Sequence, residues 1–266
     1  MRQPRADSRG ILDPARLKRQ VRFRRHLPAV ALRRWVEHYW LIDWDLDEPF
    51  EQRILPHPAV NVVVQRDGDG PERPEVAGVG RHLFSITLSG SGRVSGVQFR
   101  PGGFHPFWRR PVAELTGLRR PFADLADVGV PPARPVCAGT DTERGQALDA
   151  LLIEWAPRPD PVNDEVMSLV EMIRTDRNVR RVDEFAREHG VSVRRLQRLF
   201  LTHVGVGPKW VIRRYRLHEA IERAAGEPPD WAGLAAELGY SDQAHLVRDF
   251  TAATGVSPAA YAHNRR

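Results

Sequence analysis

Two hydrophobic rhythms divide the chain. In the first half, short runs rich in β-branched and aromatic residues alternate with turn-forming residues: HYWLID (38–43), AVNVVVQ (59–65), HLFSITL (82–88) and RVSGVQFR (93–100), with RDGDG, SGSG and RPGG between or after them. This pattern predicts an antiparallel β-sheet or a small barrel. Two stretches then change to helical spacing, residues 111–128 through Leu115, Leu118, Phe122 and Leu125, and residues 142–155 through Leu148, Leu151, Leu152 and Trp155. They are expected to cover or extend the sheet. The segment WAPRPDPVND (155–164) contains three prolines and has no period, so it reads as a linker. Everything after it reads as helix, with Val166, Leu169, Val170 and Ile173 on one inner face and Val182, Phe185 and Ala186 on the next.

The helical half repeats itself. In HGVSVRRLQRLF (189–200) a glycine ends one helix and Ser192 can cap another, the grammar of a helix-turn-helix. The same grammar returns about 50 residues later. Phe185, Ala186 and Gly190 correspond to Leu234, Ala235 and Gly239; Leu196, Arg198, Phe200, Gly205, Val206 and Pro208 correspond to Leu246, Arg248, Phe250, Gly255, Val256 and Pro258. Eight of these nine pairs are identities, and one residue has been added between Ser241 and Leu246. A helix from Pro208 to about Ala225 would join the copies, with Pro208 in its first turn and Gly226-Glu227-Pro228-Pro229 ending it. Two parallel reader helices about 34 Å apart could enter successive major grooves of one duplex.

These residues carry a resemblance. FAREHGVSVRRLQRLF, GVGPKWVIRRYRLHEA and LAAELGYSDQAHLVRDFTAATGVSPAAYA, in this order and including the Arg-Leu-x-x-Ala of the joining helix, resemble the DNA-binding domain of AraC/XylS-type transcription regulators. The resemblance implies that the second helix of each motif contacts bases and phosphates. Carried over by position, the first reader face is Arg194, Arg195, Gln197 and Arg198, and the second is Gln243, Ala244, His245, Val247 and Arg248. Arginine can present two donors to guanine and glutamine can pair with adenine, so the first face suits base reading. The second, with Ala244 and Val247 in acidic surroundings, is expected to read weakly or only to position the domain. GVQFRPGG (96–103) and PHPAVNVVVQ (56–65) are similar to an uncharacterised β-rich domain found joined to such DNA-binding domains, which implies a cupin-like sensing or dimerisation role.

The expected organisation is therefore a basic arm (1–34), a β-rich α+β domain (35–155), a linker (156–163) and an all-α domain of two helix-turn-helix motifs joined by a long helix (164–266). For an effector pocket the candidates are Arg100, at a strand end before Pro-Gly-Gly, and the aromatic residues Trp40 and Phe104. For Arg100 the competing reading is a strand-end arginine paired with a nearby carboxylate.

Charge sharpens this picture. The formal net charge is +6, and residues 177–216 hold 11 basic and three acidic residues, whereas 217–264 hold two basic and seven acidic. A concentrated phosphate-binding surface is thus expected around the first motif. Residues 1–34, with 11 basic and two acidic residues and no clear period, are expected to form a mobile arm. No long apolar run exists, so a cytoplasmic protein with no membrane partner is expected. Cys137 is the only cysteine. An alkyl-accepting cysteine or another enzyme activity fused to a DNA-binding tail is the alternative class, but PPARPVCAGT lacks the further cysteines that a zinc-held thiolate needs. His57, His82 and His105 show no short ligand spacing, so neither metal nor cofactor is expected. The expected partners are double-stranded DNA, then RNA polymerase, a small-molecule effector and a second copy of the chain.

Overall fold

The computed structural model describes residues 10–132, 134–224 and 230–263. A short helix, α1 (Pro14–Gln20), precedes six strands: β1 (Arg22–His26), β2 (Val36–Ile54), β3 (Asn61–Asp67), β4 (Arg73–Ala77), β5 (Phe84–Phe99) and β6 (Arg119–Pro121). They form one antiparallel sheet in the order β1-β2-β5-β3-β4-β6, with β1 and β6 at its edges. Helix α2 (His105–Trp108) follows β5, and α3 (Asp141–Glu154) packs on β2 and β5. The remaining helices are α4 (Pro161–Thr175), α5 (Val182–Glu188), α6 (Val193–His203), α7 (Pro208–Ala224), α8 (Trp231–Glu237), α9 (Gln243–Thr254) and α10 (Pro258–His263).

Alternation along β2 gives the sheet two apolar faces. Tyr39 and Leu41 point into a core with Val62, Val97, Phe99, Phe104 and Phe107, while Trp40, Ile42 and Trp44 point the other way, towards Val63, Val94 and Leu88. Glycines make room for the two tryptophans. Gly92 is paired with Trp44 and Gly96 with Trp40, and a Cβ at either glycine would lie 2.2 or 2.0 Å from the ring. The SGSG stretch, expected as a turn, therefore runs inside β5, because a strand that carries tryptophans opposite it needs glycine there.

Other expectations are corrected. Residues 111–128 form two 3₁₀ turns around β6 rather than a helix, because Pro111, Gly117 (φ 76°) and Pro121 interrupt the helical ladder. The supposed basic arm contributes α1 and the edge strand β1, although Met1–Arg9 lie outside the described residues. Several of its described arginines hold the fold together. Arg24 donates to Asp43 at 2.6 Å and to Asp141 at 2.9 Å, holding β1 against β2 and the start of α3. Arg144, only 1% exposed, pins α3 to the sheet by donating to Asp43 (2.6 Å), Ser95 Oγ (3.0 Å) and the Val94 carbonyl (2.7 Å). A buried arginine is tolerated only when its donors are used in this way.

The helical half does not hang from a free linker. The core that begins on the sheet continues through Trp155 into Val166, Leu169 and Val170 of α4, Phe185 of α5, and Leu196, Leu199 and Phe200 of α6. At about 1.5–3 kcal/mol for each large apolar side chain buried, this continuity binds the first motif tightly to the sheet domain. The second motif has its own core, Leu217, Ile221, Leu234, Leu246, Phe250 and Tyr261, joined by Leu12 and Leu55 from the sheet domain. No helix among the described residues is long and apolar enough to cross a membrane.

Candidate nucleic-acid interface

The repeat seen in the sequence is a repeat in space. The paired glycines Gly190 and Gly239, and Gly205 and Gly255, all have positive φ, between 64° and 95°, a region that favours glycine over residues carrying a Cβ. Pro208 and Pro258 each begin a helix, α7 and α10. Each motif is thus a helix, a glycine turn, a capped reader helix, a glycine turn and a proline-started helix.

The reader helix of the first motif is α6. Ser192 caps it, its hydroxyl accepting the Arg195 N–H at 3.2 Å. Leu196, Leu199 and Phe200 are buried, and Arg194, Arg195, Gln197 and Arg198 are exposed. Among the described residues the side chains of Arg194, Gln197 and Arg198 engage in no hydrogen bond or ion pair. Arg195 differs, since it pairs with Glu165 of α4 at 3.1 Å. Most of the surrounding basic excess is likewise committed: Arg177 to Glu219, Arg181 to Asp183 and Arg213 to Asp249. The exposed basic side chains of residues 177–216 that carry no hydrogen bond or ion pair among the described residues are Arg187 of α5, Arg194 and Arg198 of α6, and Lys209 of α7, so α6 supplies two of the four and adds Gln197.

The reader helix of the second motif is α9. The added residue moves the cap to Asp242, whose carboxylate accepts the His245 N–H at 2.7 Å and so has a pKa below the ordinary range. Gln243 and Arg248 are exposed, and Arg248 lies in the field of Asp242. His245 is half-buried: its Nδ1 stands 3.2 Å from Ser241 Oγ and its ring packs edge-on against Tyr240. The positive end of α9 is thus already occupied by a carboxylate of the chain itself.

Helix α7 joins the motifs and fixes their relation. Arg213 forms a bidentate pair with the buried Asp249 of α9, both contacts at 2.6 Å. Arg216 donates to the Arg180 carbonyl before α5 (2.8 Å) and to the Gly239 carbonyl in the second turn (3.3 Å). One side chain thus touches both motifs. Arg214 turns to the sheet domain, donating to the carbonyls of Pro56 (3.1 Å) and Arg81 (2.8 Å) and lying over Trp210; burial brings its pKa down to about 10. Pattern reasoning missed these roles because their partners lie on distant elements, though the RRYR run on one helix marked a concentration of donors. The expected end of this helix at 226–229 lies outside the described residues.

The three pocket candidates do not come together. Trp40 lines a cavity of about 380 Å³ on the outer face of the sheet, with Ile42, Trp44, Ile54, Ile86 and Leu88. Arg100 lines a separate cleft between the sheet domain and α4, where it pairs with Glu37 at 2.7 Å and donates to the Arg33 carbonyl. This matches the strand-end ion pair rather than a free anion receptor. Phe104, 1% exposed, is packed among Phe99, Phe107 and Trp155 and belongs to the core; Gly103 before it passes so close to the Trp35 carbonyl that a Cβ would lie 2.2 Å from that oxygen. Cys137 is fully buried, its thiol donating to the Val64 carbonyl at 3.2 Å, and burial together with Glu72 raises its pKa. A reactive thiolate needs the opposite environment.

Residues 185–264 match the model of a helix-turn-helix domain. They form an AraC-type DNA-binding domain. Residues 24–121 match a domain of unknown function, DUF6597. No curated protein matches the chain. Among solved structures, the C-terminal domain of AraT, a response regulator from Geobacillus stearothermophilus, is similar at 22% identity over 41% of this chain and 88% of that one, with a TM-score of 0.36. ToxT from Vibrio cholerae is similar at 12% identity over 85% of this chain and 97% of that one, TM-score 0.41. ToxT bound to (E)-4-(8-methylnaphthalen-1-yl)but-3-enoic acid is similar at 14% identity over 85% and 98%, TM-score 0.43. With its AraC-type domain the chain is a DNA-binding transcription regulator, and its macromolecular partner is double-stranded DNA.

Proposed function

We propose that the protein recognises a specific DNA sequence chiefly through α6 and that a small molecule bound on the sheet domain controls this recognition. The observation that carries the first part is the face formed by Arg194, Gln197 and Arg198, exposed and without internal partners, on a helix whose cap is the neutral Ser192. Donors left unpaired in the folded protein need break no internal ion pair before they reach phosphates or base edges. On α9, Arg195 has its counterpart in His245, already engaged with Ser241 and Tyr240, and the cap is an anion. The second motif on this reading positions the domain and adds little discrimination.

The effector reading is supported by the sheet cavity and its neighbours. The apolar lining also carries the polar side chains of Gln52, Gln98, His38 and His57. His38 is kept neutral, its pKa brought down to about 3 by burial and by the charges of Arg25 and His57. Pro56, His57 and Arg81 belong to the lining, and these are the residues that α7 holds: Arg214 binds the Pro56 and Arg81 carbonyls, and His218 packs against His57 at a centroid distance of 4.3 Å. A ligand that displaces this rim acts directly on the helix that sets the two motifs, which is the differential contact any control by ligand requires.

Selection of duplexes from a randomised library at about physiological salt, with wild-type protein and Arg198→Ala, tests the DNA part. An enriched motif that is lost or relaxed in the variant is expected. Selection indifferent to Arg198 would sink the assignment of α6 as principal reader.

A further inference from the structure

We propose that His105, Asp160 and His203 bind a divalent transition-metal ion of the zinc class, and that this ion ties the sheet domain to the first reader helix. The three residues come from three elements: His105 opens α2, Asp160 caps α4, and His203 ends α6. One ligand atom from each lies within 4.8 Å of the other two. The imidazole rings of His105 and His203 stand with centroids 4.0 Å apart at 48° to one another. Zinc holds such ligands at about 2.0–2.2 Å, so around a tetrahedral ion they stand roughly 3.4 Å apart. Side-chain shifts of about 1 Å close the observed triangle to that size.

The surroundings prepare each group as a ligand. Asn163, itself wholly buried, places its Oδ1 3.2 Å from His203 Nδ1, while its amide nitrogen is directed at the Met167 sulfur. An amide oxygen only accepts, so Nδ1 of His203 carries the proton and Nε2 presents a lone pair, the arrangement in which a metal-bound histidine is oriented by its other ring nitrogen. Asp160 uses Oδ1 to accept the Val162 N–H at 2.9 Å, and the same carboxylate retains a second oxygen for an ion. Nδ1 of His105 is buried and has no hydrogen-bond partner among the described residues. Such a nitrogen is costly to bury unless something coordinates it.

Two imidazoles and a carboxylate without a thiolate suit borderline ions such as zinc, cobalt or nickel, and three protein ligands leave a position open to water. The location gives the ion its consequence. It would fasten the start of α2 on the sheet domain, the connector at Asp160, and the C-terminal end of the helix whose other end faces DNA.

The test uses the full chain stripped with a chelator and titrated with cobalt(II) alone, followed by visible absorption and calorimetry. One cobalt per chain, with d–d bands that zinc bleaches, is expected. Asp160→Asn keeps the helix cap and should bind at least tenfold more weakly. His105→Ala should lose the bands, while His57→Ala, in the other interdomain histidine pair, should titrate as wild type. Absence of cobalt binding, or affinity and bands unchanged in both Asp160→Asn and His105→Ala, would overturn the site, as would loss of the bands in His57→Ala.

Discussion

In the first motif the reader helix starts at a neutral serine, is continuous with the core of the sheet domain, and shows unpaired Arg194, Gln197 and Arg198 to solvent. In the second the reader helix starts at an aspartate, has a core of its own, and offers Gln243 and an Arg248 that sits near that aspartate. The buried positions of the two copies are nearly identical: Leu196 and Leu246, and Phe200 and Phe250, are all fully buried. The copies thus share what packing requires and one exposed arginine, Arg198 and Arg248, and differ over the rest of the exposed face. A repeated fold consequently says little about whether both copies read DNA with equal force.

The comparison is sharpened first where the copies are alike. Phe200→Ala and Phe250→Ala should each destabilise the protein by about 3–5 kcal/mol in denaturant unfolding, because each empties a fully enclosed ring site. A small loss for one of them would show that its core is not packed as its partner's is. Next comes the surface. Arg198→Ala should weaken specific DNA binding by about tenfold or more and reduce the slope of log affinity against log salt by about 1, whereas Arg248→Ala should cost no more than about threefold. Equilibrium titration with the selected duplex at several salt concentrations measures both quantities. Arg214→Met, which leaves the Pro56 and Arg81 carbonyls without their donor, should lower stability by about 1–3 kcal/mol and leave affinity for DNA in the absence of ligand nearly unchanged. Asp242→Asn gives the smallest and most pointed effect. Asparagine caps as well as aspartate, so the helix survives, and removal of the anion should strengthen binding a few-fold. Unchanged or weaker binding would show that the carboxylate does not oppose the phosphate.

What could be read from the chain was what is local. Helical period, the capping residue at 192, and the glycines at 190, 205, 239 and 255 act within a few residues, and each stands where the pattern placed it. Residues 111–128 misled for a local reason as well: their leucines keep helical spacing while Pro111, Gly117 and Pro121 forbid the backbone. Contacts between distant segments left no periodic trace. Edge strand β1 is fastened where Arg24 meets Asp43 and Asp141, and no spacing rule announces such a meeting. The candidate site divides along the same line. The exposed face of α6 follows from the burial of Leu196, Leu199 and Phe200, but only the fold shows that Arg195 is spent on Glu165, that Phe104 is core, and that His105, Asp160 and His203 converge.

The central claim is that the first motif carries the recognition. Footprinting the selected duplex at base resolution, with quantitative competition by duplexes altered in one half-site at a time, tests it most directly. Strong protection and strict base preference in the block contacted by α6, with weaker protection and tolerance of substitution one helical turn away, is the predicted result. Equal protection and equal base preference in the two blocks would contradict it.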